Sequence, residues 1–196
     1  DLHSFPTRRS SDLLVAITQG IVTIANGKTF TTSGNTTVTD TLTNLGEIAN
    51  SGTLKLTGST SNAGTISGVG TLDLDADFVN NGTITQGIID VASTKVFTNN
   101  TTATVNTTLT NAGTITNKGS LYVKGADQTL GLINNGGTTS GTLYLQGTGT
   151  KTANGAITQN RVDIASGVTL DNNALLTSTV TNAGNLYTTG TNLAGL

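Results

Sequence analysis

Four blocks of sequence recur in the same order along the chain, and this repetition restricts the possible folds more than any other feature. The first block begins at Ile17, Ile84 and Ile157, so its copies start 67 and 73 residues apart. Internal repetition of this kind predicts a stack of similar units that together bury one core. The other blocks are Leu42–Ile48, Leu109–Ile115 and Val180–Leu186, then Gly52–Leu56 and Gly119–Val123, then Gly70–Leu74 and Gly141–Leu145.

A shorter spacing lies inside the long repeat. Gly52 and Gly70 open matching segments 18 residues apart, and Asn44, Asn62 and Asn80 each begin an Asn-x-Gly at the same interval, with another at Asn50. These spacings predict a parallel β-helix, an all-β solenoid of about nine coils of roughly 18–22 residues, with three to four coils per long repeat. The domain is expected to cover residues 14–196, with repeat units at about 14–80, 81–153 and a partial unit at 154–196.

Alternation of apolar and polar residues gives each strand two faces. Leu54 and Leu56 are predicted to point inward, while Thr53 and Lys55 point to solvent. Asn and Gly tolerate left-handed backbone, so Asn-x-Gly is expected at the corners, where stacked Asn side chains can hydrogen-bond between coils. One column is expected to hold Leu54, Leu56, Leu72, Leu74, Leu121, Val123, Leu143 and Leu145. A second ladder is expected to hold Val22/Ile24, Ile89/Val91 and Val162/Ile164.

An antiparallel meander or β-sandwich is the alternative fold. Asn26-Gly27 and Asn154-Gly155 are possible hairpin turns. Such folds place strands every 8–12 residues or so, joined by two-residue turns. The 18-residue near-identity between Gly52 and Gly70 favours coils.

Composition supports an ordered β-protein over a disordered one. Thr and Gly are abundant, at 43 and 25 residues, but Leu, Ile, Val and Phe still total 49 of 196, and the net charge is only −2. Disordered chains combine few large aliphatic residues with high net charge. The absence of Cys excludes disulfides and thiolate metal sites. Basic residues are scattered apart from Arg8-Arg9, which argues against nucleic-acid binding, and no apolar run has the roughly 20 residues of a membrane span.

The first thirteen residues differ in character from the rest. They contain the only His, the only Pro and the only Arg pair. The segment HSFPTRRSSDL at residues 3–13 resembles the translation of a common sequencing adapter. A basic targeting segment or a flexible arm are the alternatives. Residues 1–13 are therefore expected to be an artefact without ordered structure, and the β-helix is expected to be truncated at both ends.

Asp73, Asp75 and Asp77 are the main candidates for a functional site. Alternation predicts that they lie on one strand face, where they could bind calcium or form the acid cluster of a polysaccharide-cleaving enzyme. An EF-hand-like loop starting at Asp73 lacks the required Gly, because Phe78 holds the sixth position, and lacks the required Glu, because Ile84 holds the twelfth. A solvated strand face is the preferred interpretation. We expect no catalytic residues, no cofactor and no strong metal site.

Thr-x-Thr pairs, such as Thr83/Thr85 and Thr114/Thr116, raise the alternative of an ice-binding β-helix. Such proteins place one pair on every coil at constant spacing. The pairs in this sequence do not follow that rule, so β-branched residues filling strand faces are the preferred interpretation.

The Asn-Ala-Gly-Thr-Ile and Ser-Gly-Thr-Leu-x-Leu units at residues 50–56, 62–66 and 111–115 resemble the β-strand repeats of large bacterial surface proteins. These are autotransporter passengers and filamentous-haemagglutinin-like adhesins. The resemblance implies a right-handed β-helix stalk, export to the bacterial cell surface and a structural or adhesive role without enzymatic activity. Its partners would be adjacent repeats of the same polypeptide and, through parts outside this chain, a host protein or glycan. A β-helical protein that binds or cleaves polysaccharide is the alternative function.

Overall fold

The structure is a computed structural model that describes residues 16–189, and in this part of the chain all regular structure is β-strand. Twenty-two strands form one continuous sheet, in which strands pair in parallel from coil to coil. This arrangement confirms the predicted parallel β-helix and excludes the antiparallel alternative. The predicted artefact at residues 1–13 lies outside the described residues, and right-handed winding stays a prediction.

The strands are short and separated by tight corners. In chain order they are β1 (Ile17–Ile24), β2 (Thr29–Thr32), β3 (Asn35–Asn44), β4 (Glu47–Asn50), β5 (Thr53–Leu56), β6 (Thr60–Asn62), β7 (Thr65–Ser67), β8 (Thr71–Leu74), β9 (Phe78–Asn80), β10 (Thr83–Val91), β11 (Val96–Asn99), β12 (Thr102–Asn111), β13 (Thr114–Asn117), β14 (Ser120–Val123), β15 (Gln128–Leu130), β16 (Leu132–Asn134), β17 (Thr142–Leu145), β18 (Gly149–Ala153), β19 (Ile157–Ile164), β20 (Val168–Asn172), β21 (Leu176–Asn182) and β22 (Asn185–Thr188).

Each coil has three faces, which the chain visits in a fixed order. Face I is the ladder that contains β5 and β8. Face II contains β6 and β9, and face III contains β7 and the first part of β10. Longer strands such as β3 and β10 bend at a corner and contribute to two faces. The chain therefore passes through faces I, II and III and returns to face I one coil further along.

The ladder on face I gives the number of coils. It can be followed from Ile17 to Leu186 through ten passes, one more than predicted. On this face, partners on successive coils are mostly 17–20 residues apart, with extremes of 16 between Leu170 and Leu186 and 23 between Gln128 and Lys151. At the usual spacing between parallel strands, nine steps give a rod about 43 Å long.

The long repeat is not a whole number of coils. Its equivalent residues Ile17, Ile84 and Ile157 lie on faces I, III and II. Each repeat thus spans eleven faces, or three and two-thirds coils, and the sequence pattern moves by one face per repeat. The second predicted ladder is wrong for this reason: Val22/Ile24 lie on face II, Ile89/Val91 on face I and Val162/Ile164 on face III.

The predicted alternation of inward and outward residues is confirmed. The aliphatic residues assigned to the core are all buried and belong to one hydrophobic cluster that runs along the coils. They form two ladders rather than one, because Leu54, Leu56, Leu72 and Leu74 stack on face I, whereas Leu121, Val123, Leu143 and Leu145 stack on face III. Strand parity can be inferred from sequence, but the face cannot.

A ladder of buried asparagines runs along the corner between faces II and III. The side-chain amides of Asn44, Asn62, Asn80, Asn99 and Asn117 donate from each residue to the next over 2.7–2.8 Å. Most also donate to a main-chain carbonyl on a neighbouring coil, as Asn80 does to Thr102. Burying an amide is tolerated only when its hydrogen bonds are made. The coil-to-coil asparagine bonds predicted from Asn-x-Gly are therefore present.

Equivalent turns recur at three different corners. The backbone amides of Lys28, Lys95 and Val168 donate to the carbonyl oxygens three residues earlier over 3.0–3.2 Å. The residue before each donor has left-handed backbone, with φ of 71° at Gly27, 67° at Thr94 and 79° at Gly167. Thr94 is the only non-glycine residue in the described part with positive φ. The same type of turn therefore occurs at corners between different pairs of faces.

Replacing Thr94 by Gly is expected to stabilise the rod. A β-branched residue in left-handed backbone costs about 1–2 kcal/mol, and the entropy lost by Gly on folding offsets part of the gain. We expect a net gain of roughly 0.5–1 kcal/mol in urea unfolding monitored by circular dichroism. Thr98→Gly, on the outward side of the following strand, is the control and should destabilise. A loss of stability in T94G would contradict the proposed strain.

Candidate functional site

The charged cluster on face I brings together one cation and three carboxylates. Lys55 lies opposite Asp73 on adjacent coils, and Asp73 lies opposite Asp90. The Lys55 Nζ is 2.5 Å from a carboxylate oxygen of Asp75 and 2.9 Å from one of Asp73. These hydrogen bonds, first to Asp75 and then to Asp73, raise the pKa of the Lys55 ammonium above its usual value of 10.5. The cluster is a cross-coil ion pair at a partly exposed surface.

Asp77 does not share this face, contrary to the prediction for the three aspartates. Strand β8 ends at Leu74, so Asp75 and Asp77 belong to the following corner. The Asp77 carboxylate accepts a hydrogen bond from the backbone amide of Val96 over 2.9 Å. Within residues 16–189 no group of three or more His, Cys, Asp or Glu side chains has the arrangement of a metal site. Lys55 was the residue that sequence reasoning missed, although its 18-residue spacing from Asp73 matches the coil.

Asp90 is the member of the cluster whose charged form is disfavoured by its surroundings. Burial, followed by the charges of Asp73 and Asp75, raises the pKa of Asp90 above its usual value of 3.8. The folded chain therefore binds more protons than the unfolded chain between pH 3.8 and the folded-state pKa. Stability falls as the pH rises through that window, and the penalty is complete above it.

Asp90→Asn is accordingly expected to stabilise the rod at pH 7, by a few tenths to about 1 kcal/mol, the usual range for like charges on adjacent strands. The gain should disappear below about pH 3.9, where an aspartate is protonated even in the unfolded chain. Thermal unfolding at both pH values measures the effect. Asp163 occupies the equivalent repeat position but pairs with Arg161 over 2.5 Å, so Asp163→Asn should not stabilise. Equal gains from both variants at pH 7 would contradict this electrostatic account.

An open depression of about 430 Å³ lies on face I where the ladder between β12 and β15 is reduced to one pair. The side-chain amide of Gln128 takes the place of a main-chain peptide group where the ladder is interrupted, because it both accepts and donates a hydrogen bond there. Its Oε1 accepts from the Leu109 amide over 2.7 Å, and its Nε2 donates to the Thr107 carbonyl over 2.8 Å. Asp127, the acidic residue in the lining, accepts from the Thr150 amide over 2.7 Å. Gln128 and Asp127 thus use these polar atoms within the coil stack, whereas Oδ1 of Asn111, also in the lining, has no hydrogen-bond partner among the described residues.

Lys151 lies inside the rod, on the coil after Gln128. Its side chain is fully buried, and its ammonium donates to the carbonyl oxygens of Gly125, Ala126 and Thr148. Burial lowers the pKa of Lys151, and the nearby Asp127 carboxylate partly opposes that shift. Three main-chain carbonyls therefore solvate an internal cation. Lys151 takes an inward position of β18, as Ala153 does two residues later.

Two tyrosines stack on face III. The rings of Tyr122 and Tyr144, on adjacent coils, are 4.3 Å apart between centroids and within 7° of parallel. Each ring covers one face of the other, as in the aromatic pairs that contribute about 0.5–1.5 kcal/mol beyond simple burial. The next coil places Asp163 opposite Tyr144. The pair is best explained as packing between coils.

Outward hydroxyl pairs stack over successive coils on face III, whereas Thr114/Thr116 lies on face II. Three successive coils present Thr65/Ser67, Thr83/Thr85 and Thr102/Thr104 in register. The next coil replaces the second hydroxyl with Tyr122, which lies opposite Thr104. Thr104 is already buried, so both hydroxyls of the pair are accessible on only the first two of these coils. Ice binding stays a prediction.

Comparison with protein-family models, with curated proteins and with solved structures gives no match for this chain. Within residues 16–189 there is no helix with the length and hydropathy of a membrane span.

Proposed function

We propose that this chain is a segment of the stalk of a large bacterial surface protein. The stalk would hold an adhesive region, encoded outside these residues, away from the cell. The observation that carries the proposal is the uninterrupted core, which extends from Val22 on the first coil to Leu176 on the ninth. A continuous core and ladder make an elongated body, because each coil packs only against its neighbours along the stack.

The repeat geometry supports a role as a spacer. Equivalent residues such as Leu42, Leu109 and Val180 occupy faces II, I and III, and each is accommodated on its face. The same sequence block therefore folds at any of the three positions around the rod. Length can then be changed by whole repeats without redesigning the core.

The surface also fits a stalk better than an enzyme. Hydrolysis of a polysaccharide usually requires two carboxylates placed across an open cleft. The depression on face I has one carboxylate in its lining, and two of the three carboxylates of the charged cluster, Asp73 and Asp75, are paired with Lys55. The remaining outward residues are mainly Thr, Ser and Asn, which suit a hydrated surface without large charge.

Surface labelling tests the location that the proposal requires. Antibodies raised against the purified chain should label intact cells of the source bacterium. Labelling that appears only after the cells are made permeable would overturn the proposal. Antibodies against a cytosolic protein of the same cells are the control for lysis.

A deletion tests the role as a spacer. Removing residues 42–108 joins Thr41 to Leu109, the equivalent of Leu42, and takes out one repeat. The shortened chain should fold and be shorter by about 18 Å, because three and two-thirds coils are lost. Small-angle scattering of both chains measures the difference. Removing 60 residues from the same starting point breaks the repeat register and should unfold the chain. If the 67-residue deletion unfolds it equally, interchangeable repeats are excluded.

A further inference from the structure

Four Asn-Gly dipeptides lie within residues 16–189, and three of them are held by hydrogen bonds. In each of these three the glycine amide donates a bond, and the asparagine side chain takes part in another. The glycine bonds are Gly82 to Asn80, Gly136 to Asn134 and Gly155 to Leu130, and the side-chain bonds are Asn81 with Asn100, Asn135 with Thr138 and Asn154 with Asn173.

The fourth dipeptide, Asn26-Gly27, is different. It forms the exposed tip of the turn between β1 and β2. Across the described part of the chain, neither the side chain of Asn26 nor the amide of Gly27 has a hydrogen-bond partner. A Cβ atom placed on Gly27 would meet nothing within 4 Å. Both reacting groups are therefore exposed to water and are not held by another group of the described chain.

We propose that Asn26 is a site of spontaneous deamidation, at which the chain converts to aspartate and isoaspartate without an enzyme. The Gly27 amide gives its proton to water or hydroxide, and its nitrogen attacks Cγ of Asn26. The new N–Cγ bond closes a succinimide ring, while the Cγ–Nδ2 bond breaks and ammonia leaves. Water then opens the ring at either carbonyl. The overall change is the uptake of one water and the release of one ammonia.

The product alters the corner in two ways. It introduces a negative charge two residues before Lys28, and isoaspartate adds one atom to the main chain of a tight turn. The third repeat forms the equivalent turn with Ser166-Gly167, where a hydroxyl cannot form the ring. Asn26→Ser therefore supplies a matched control that the fold already contains.

Peptide mapping by mass spectrometry tests the proposal after incubation of the folded chain in mildly alkaline buffer. Asn26 should deamidate roughly tenfold or more faster than Asn81, Asn135 or Asn154, because those sites must first break hydrogen bonds on both reacting groups. In concentrated urea the four rates should converge, since each site has the same Asn-Gly chemistry once the coils unfold. In N26S, release of ammonia from the folded chain should fall to the slow rate of the other sites.

Three results would overturn the proposal. One is a rate at Asn26 equal to or below the rates at the other three sites in the folded chain. Another is that the four deamidation rates differ in urea in the same way as in the folded chain, since local sequence rather than the fold would then set the rates. The third is unchanged ammonia release from N26S.

Discussion

Leu56→Asp is expected to unfold the coils around it and to cost at least about 4 kcal/mol, which is exceptional for one substitution. Leu56 is 0% exposed and stacks between Val38 and Leu74 on face I. A carboxylate at this position would lie in an aliphatic column with no cation or donor described beside it. Urea unfolding monitored by circular dichroism measures the loss.

Thr53→Asp is the matched control on the same strand, because Thr53 points to solvent between Asn35 and Thr71. Its cost should stay within about 0.5 kcal/mol, as for most surface substitutions. Similar losses from L56D and T53D would contradict the assignment of inward and outward positions on β5.

Asn80→Ala is expected to be the second most damaging change, at roughly 2–4 kcal/mol. The Asn80 side chain accepts from Asn62 and donates to Asn99, each over 2.8 Å. Its removal leaves a buried donor and a buried acceptor without these partners, at about 1–3 kcal/mol each. Unfolding in urea measures this effect, and hydrogen exchange of the amides at the adjoining corners should show local loss of protection.

Asn81→Ala tests whether burial is the cause. Asn81 follows Asn80 directly, is exposed and bonds through its side chain to Asn100 over 2.7 Å. An exposed bond of this kind exchanges with water, so its loss should cost well under about 1 kcal/mol. If N80A were no worse than N81A, the buried ladder would not be a major source of stability.

The alternation of inward and outward residues along a strand and the number of residues per coil could both be predicted from the sequence. Both repeat over short distances, so the order of residue types shows them directly. Leu54-Lys55-Leu56 shows the period of two, and Gly52 with Gly70 shows the length of a coil. The asparagine ladder followed for the same reason, since Asn44, Asn62 and Asn80 are one coil apart. These features depend on local chemistry that is the same on every coil.

The sequence alone did not show on which face a residue lies or which polar residues are buried in the core. Each face takes about six residues, so nothing local distinguishes Leu54 on face I from Leu121 on face III. Gln128 and Lys151 become inward residues only once the uneven corners between coils are known. The ion pair at Lys55 also required the register between coils, because its partners are distant in sequence.

The fractional repeat has a consequence for the gene. Unequal recombination between repeated segments of a gene adds or removes whole copies of the repeat. Each such event changes the rod by three and two-thirds coils. Everything beyond the junction then turns by one-third of a revolution about the long axis. In alleles that differ by one unit, the distal surfaces would therefore point in different directions around the long axis. Three gains, or three losses, would restore the original orientation.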